Sequence, residues 1–214
     1  GMDSMTYGAV AKNILATGDW LTLHYTDQAY NDFYQHPPLA MWATAIMMRA
    51  IEWIAGPVAA RADWVLKLLP ALVAGIGAGI VYVWARRIRG EWFAFLATLV
   101  LLTSTRFVKY SKGLMLDPFL ATFSVAAVYM SVRAAASARA RGGLSFAAGT
   151  LVAAAFLSKG VFAFAPLVLC LIILRRKSFP FLAGVAAPLL VWLGPGMGLH
   201  FAERYYVEHV SGRL

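Results

Sequence analysis

Residues 64–84 read WVLKLLPALVAGIGAGIVYVW, and residues 85–91 continue as ARRIRGE. The first stretch carries a single charge, Lys67, and is long enough to cross a bilayer, since a spanning helix needs roughly 20 residues. The second sets Arg86, Arg87 and Arg89 directly behind it, which is where the positive-inside rule places a cytoplasmic connection. Gly75, Gly77 and Gly79 lie inside the run with no strand before them, so a dinucleotide-binding loop is not the reading. Gly75-x-x-x-Gly79 is expected to pack closely against a neighbouring helix instead.

The rest of the chain repeats this pattern. Further apolar runs occupy 92–108, 117–132, 144–158, 161–174 and 179–194, several of them short for a span. Across all 214 residues 61% are apolar and 14% charged, against about 25% charged in an average soluble domain. The fold class expected is all-α, a polytopic integral membrane protein of about six transmembrane helices with further interfacial or re-entrant helices on the outer face. Cys170 is the only cysteine, which excludes a disulfide framework. The net charge of +9 is not gathered on one polar face, so nucleic acid is not an expected partner.

Residues 1–36 contain no span. Asp3 can cap a helix running to about Thr17, with Tyr7, Val10, Ala11, Ile14 and Leu15 along one side and Gly18 as its stop. Trp20, Tyr25, Tyr30, Phe33 and Tyr34 follow, residue types that settle at a membrane–water interface. Residues 38–55 are helical, but Arg49 and Glu52 interrupt them, and charge at mid-bilayer is costly. This helix is therefore expected to lie on the outer face. The domain reading is 1–60 as an outer-face loop with interfacial helices, 61–197 as a six-span bundle, and 198–214 as the start of a second large outer loop, together a piece of a longer protein.

Three short connections are basic: Arg86, Arg87, Arg89; Arg133, Arg139, Arg141; and Arg175, Arg176, Lys177. With one span between neighbours they share one face, carrying nine bases against one acid, Glu91. The other face gathers Asp3, Tyr7, Asp19, His36, Arg106, Lys109, Lys112, Asp117, Lys159, Glu208 and His209. Each has an ordinary reading. Asp117 before Pro118 can be a helix cap, Lys159-Gly160 a helix end with its favourable cation, and Asp3 a cap. His36 and His209 can be surface histidines.

The order of these residues along the chain changes that balance. DSMTYGAVAKNILATGDWLTLHY, YQHPPLAMW, MLDPFLATF, FLSKGVFAFAPL and YYVEHVSGRL together resemble the polyprenyl-phosphate-dependent membrane glycosyltransferases of the GT-C class. The nearest likeness is to the aminoarabinose transferase and protein O-mannosyltransferase group. The resemblance covers the N-terminal part of such a protein, whose members have one more span before the first motif and further spans after the last. It implies transfer of a sugar from a polyprenyl-phosphate carrier to a lipid, glycan or protein acceptor, with inversion, at the outer face of a bacterial inner membrane. The alternative is a non-catalytic relative that binds or translocates a lipid carrier. Membrane lipids are the other expected partner.

By the same resemblance, Asp3 matches the first acid of an Asp-Glu motif, the base or acceptor-orienting carboxylate, with Ser4 in place of the second acid. His36-Pro37-Pro38 matches a motif whose basic residue approaches the donor phosphate. Asp117 matches the acid that opens a span, and Lys159 a lysine that contacts the lipid phosphate. Gln35 stands where aminoarabinose transferases have a metal-ligating Glu, and His209 matches a histidine that holds a metal with it. A divalent metal is the one cofactor implied. The chemistry asks for such groups independently: a carboxylate to take the acceptor proton, and cations where charge develops on the departing phosphate. Asp3 and Asp117 offer the first; Lys159, His36, Arg106 and Lys109 offer the second, with Tyr7 beside them.

Overall fold

The computed structural model describes residues 2–26, 33–175, 178–194, 199, 201–203 and 206. Helix α1, Met2–Thr17, turns its expected stripe inward: Val10, Ala11, Ile14 and Leu15 are all buried. Gly18 ends it at φ +72°, donating its N–H to the Ile14 carbonyl at 2.9 Å, a left-handed stop that glycine adopts without steric cost. The connection folds back on α1. Asn13 donates to the His24 carbonyl at 2.9 Å, and Asp19 accepts from the Leu21 and Thr22 amides.

Helix α2, Leu39–Ala60, lies against α1 through Ala40, Met41, Ala45 and Met48. Arg49 and Glu52, which break the apolar run, pair at 2.9 Å, and Arg49 also donates to the Leu15 carbonyl near the C-terminal end of α1. The two charges thus sit on a helix–helix seam and satisfy an end carbonyl. Gly56 at φ +85° breaks α2 before Pro57.

Among the described residues three helical units are long and apolar enough to cross a membrane: 63–103, 117–136 and 141–174. Two of them are broken by a glycine. Helix α3, Asp63–Thr103, is interrupted at Arg89 and Gly90, the latter at φ +83°. Its second segment returns beside the first, because Ala74 and Leu101 line one cavity. Helix α4, Thr105–Ser111, follows, so the run at 92–108 is divided at Ser104 rather than continuous. Helix α5, Asp117–Ala136, and helix α6, Arg141–Lys159, form the centre. Gly160 at φ +66° opens a 3-10 turn, Gly160–Ala163, into helix α7, Phe164–Leu174, and helix α8 is Phe179–Leu193. All six apolar runs are helical, the run at 92–108 being shared between the second segment of α3 and α4.

Their direction alternates. Arg87 and Arg133 line one cavity, Arg141 donates to the Ala134 and Ala135 carbonyls, and Leu174 and Phe181 share a buried cluster with Ala134. The first two basic connections and the helix ends flanking the third therefore meet at one end of the bundle. At the other end Gly8 of α1 lies against Leu66 of α3, and Leu114 donates its N–H to Ser4 Oγ at 3.0 Å.

One packing expectation is corrected. Gly75 and Gly79 are exposed, with nothing among the described residues near enough to meet an added methyl, so the x-x-x spacing does not mark a contact here. Gly77, on the other side of the helix, faces Thr122 of α5, whose hydroxyl donates to the Val73 carbonyl at 2.9 Å. Helices α6 and α8 approach closely, and Gly149 and Gly184 bring backbone against backbone.

Candidate active site

Lys159 closes α6 and Asp117 opens α5, so antiparallel neighbours deliver both to the same end of the bundle. Lys159 Nζ donates to Asp117 Oδ1 at 2.5 Å, with both side chains partly buried. The same ammonium lies 5.4 Å from the Phe162 ring, a cation–π contact supplied by the 3-10 turn. Asp117 makes no side-chain capping bond, and Leu116 occupies the N-cap position. The cap and helix-end readings of these two residues therefore give way to an ion pair joining positions 42 apart in the chain.

Asp3 lies in the first turn of α1 with Tyr7 one turn further on. Tyr7 is buried, its ring edge-on to Phe33 at 6.1 Å and to His36 at 5.7 Å. Burial, then the charges of Asp3 and Asp117, push the Tyr7 phenol above its ordinary value. The phenol thus senses both carboxylates and remains a proton donor throughout the neutral range. Ser4, at the position of the missing second acid, pins α1 to the loop before α5 by accepting the Leu114 amide.

Pro37 lies 3.8 Å from the Cβ position of Gly160, which brings the His36-Pro37 turn beside Lys159-Gly160. These two turns form the rim of an almost wholly apolar cavity of about 500 Å³. Phe156, Phe164, Leu189 and Trp192 form its wall, and Phe201 covers Trp192 at 5.5 Å. A second cavity of about 320 Å³ is lined by Asp117 with Arg106, Tyr110, Ser111 and Thr122.

The structure thus assembles Asp3, Tyr7, His36, Asp117 and Lys159 at one end of the bundle. Arg106 lines the second cavity together with Asp117, and does not line the apolar one. Lys109 does not join either: it is exposed and lies over the Tyr110 ring at 6.0 Å. One position before Tyr110, it is rotated by about 100° around the helix. His209 falls outside the described residues. Among the described residues no three His, Cys, Asp or Glu side chains converge on a metal position, and Gln35 supplies an amide where a carboxylate is expected. The described residues alone do not complete a divalent-ion site. Phe162 escaped the sequence reading, and Phe33 figured there only as an interfacial aromatic. Phe162 stands three residues beyond Lys159, a spacing that carries weight only once the turn is seen.

Residues 35–194 match the sequence profile of the dolichyl-phosphate-mannose-protein mannosyltransferases. The chain belongs to that family. It is 27% identical over 168 residues to the undecaprenyl phosphate-α-4-amino-4-deoxy-L-arabinose arabinosyl transferase of Edwardsiella ictaluri, covering 76% of this chain and 28% of that protein. Among solved structures it is similar to ArnT from Cupriavidus metallidurans bound to undecaprenyl phosphate, at a TM-score of 0.70 and 23% identity. That match covers 98% of this chain and 38% of the other. The apo state of the same protein gives the same score over 96% of this chain. The chain therefore spans well under half the length of the relatives it matches, with the GT-C membrane fold in common. As a member of the mannosyltransferase family, it is an integral membrane protein.

Proposed function

We propose that this chain forms the carrier-binding and catalytic end of a glycosyltransferase that moves a sugar from a polyprenyl phosphate to a lipid, glycan or protein acceptor. The observation that carries the reading is the Lys159–Asp117 ion pair directly beside Gly160, which lines the apolar cavity. A carrier is an anionic head on a long apolar tail. The cavity between α6, the 3-10 turn and α8 suits the tail, and Lys159 with His36 suits the phosphate. The undecaprenyl phosphate in the name of the similar solved structure supports the same class of ligand.

In this reading the acceptor oxygen attacks the anomeric carbon as its proton passes to Asp3. The bond from that carbon to the phosphate oxygen breaks, and the electron pair leaves with the polyprenyl phosphate, so the anomeric configuration inverts. Lys159 meets the negative charge that develops on the departing phosphate, and a fixed cation in a partly dry site does this without reorganisation. Asp117 holds the ammonium in place. Tyr7, protonated at neutral pH, stands near both carboxylates as a proton donor.

Lys159→Ala is expected to weaken binding of undecaprenyl phosphate by about tenfold or more, in line with the loss of one charge-assisted contact. The loss should shrink as salt rises, because a fifth of the Lys159 side chain remains exposed. Lys159→Arg should restore part of it. Titration of the purified protein with the carrier phosphate measures all three, and affinity unchanged in Lys159→Ala would leave the cavity without its head-group contact.

The site end is assigned to the non-cytoplasmic face of a bacterial inner membrane, from the basic connections at the other end. In a Cys170→Ala background, Lys112→Cys should label from outside intact cells and Arg139→Cys only after permeabilisation. Labelling of both from one side would overturn the orientation.

A further inference from the structure

The basic end of the bundle has a pocket of its own, far from Asp117 and Lys159. It has a volume of about 370 Å³ and lies between the first segment of α3 and α5. Trp84, Arg87 and Ile88 stand on one side of it, and Tyr129, Val132 and Arg133 on the other. The spacings are i, i+3 and i+4 on both helices, so each helix presents one face to the pocket. Trp84 and Tyr129 lie with ring centroids 5.8 Å apart, and the Arg133 guanidinium lies 5.9 Å from the Tyr129 ring.

The arginines at this end are not equivalent. Arg86 pairs with Glu91 at 2.7 Å and Arg141 donates to the Ala134 and Ala135 carbonyls, while Arg89, over Phe93, and the exposed Arg139 do not line the pocket. Arg87 and Arg133 are exposed and have no carboxylate partner among the described residues. They are the two that line the pocket. Two uncompensated guanidiniums over a floor of Trp and Tyr, at the depth where helices leave the bilayer, complement an anion carried on an apolar body. Guanidinium forks match phosphate oxygens, and the aromatic rings match the glycerol and upper acyl region. The geometry points to a site for the phosphate head group of an anionic phospholipid, held between Arg87 and Arg133 with its chains along α3 and α5. The site is independent of the transfer reaction and would fix the basic end of the bundle to one leaflet.

Native mass spectrometry of the protein in a neutral detergent tests this with phosphatidylglycerol, phosphatidylcholine of the same chains, and inorganic phosphate. The protein should retain one phosphatidylglycerol in strong preference to phosphatidylcholine. Arg87→Gln and Arg133→Gln should each cut that retention by about fivefold. Arg86→Gln and Arg89→Gln should leave it within twofold, and Arg87→Lys should recover part of the loss. Unchanged melting temperatures would separate lost binding from lost folding. Retention unaffected by Arg87→Gln and Arg133→Gln, or reduced equally by Arg86→Gln, would overturn the site. Release of the lipid by millimolar inorganic phosphate would overturn the lipid assignment in favour of a free-anion site.

Discussion

Asp3→Asn is expected to leave the protein folded and to lower sugar transfer by roughly two to four orders of magnitude, the range a positioned general base contributes. The two carboxylates of the site differ in their availability. Asp117 is committed to Lys159, whereas Asp3 is exposed in the first turn of α1 and has no ion-pair partner among the described residues. Only Asp3 is therefore placed to accept a proton without first releasing a cation. Asparagine keeps the shape and any capping tendency of aspartate, so the substitution removes charge and basicity alone. Ser4 continues to hold the first turn of α1 through the Leu114 amide, which keeps position 3 in place in the variant. Transfer should be followed with a carrier-linked sugar, and carrier binding measured beside it. Near-normal transfer by Asp3→Asn would remove Asp3 as the base. No transfer by the native protein or the variant, with carrier binding intact, would favour the non-catalytic reading.

Local signals in the sequence carried most of the fold. The stripe Tyr7, Val10, Ala11, Ile14, Leu15 and the stop at Gly18 are properties of a single turn or two, and the structure uses them as written. The apolar runs likewise needed only length and composition, although the break at Ser104 lay hidden inside one of them. What the sequence could not resolve was pairing. Asp117 and Lys159 each had a sufficient local explanation at a helix end, and only the antiparallel arrangement of α5 and α6 sets them together. Ser4 shows the same limit from the other side: an apparent loss from a motif is a tertiary hydrogen bond to a loop more than a hundred positions away.

Glycine spacing was the least reliable guide, because a helix has several faces and spacing alone does not say which one meets a neighbour. Gly75 and Gly79 had the familiar interval and meet nothing among the described residues, whereas Gly149 and Gly184 stand alone in runs of small residues and bring two helix backbones together. In a membrane the drive for helices to associate comes from close packing and interhelical hydrogen bonds, so contacts of this kind carry much of the fold.

Gly149→Val should therefore be among the most destabilising single changes outside the site. A methyl group at position 149 would meet the Phe181 carbonyl oxygen, the Val185 amide nitrogen at 2.8 Å and the Gly184 carbonyl carbon at 3.0 Å. All three are backbone atoms of α8, so no side chain can rotate aside and the helices must separate. Separation would break the contact from Thr150 Oγ1 to the Gly184 carbonyl and open the cluster of Ala148, Val152, Cys170 and Phe181. Overpacking of a close-fitted interior costs about 1–3 kcal/mol and at times more, and an unyielding backbone places this case at the upper end. About 3 kcal/mol corresponds to a fall in melting temperature of about 6–12 °C for a chain of this size. Gly184→Ala, which presses on the Phe146 backbone, should act in the same direction. Gly79→Ala is the control: its methyl enters open space, and alanine is the better helix former by about 0.5–1 kcal/mol, so stability should hold or rise. Thermal unfolding of the three variants in one detergent reads the order directly. A melting temperature of Gly149→Val equal to that of Gly79→Ala would mean that α6 and α8 do not meet through these glycines.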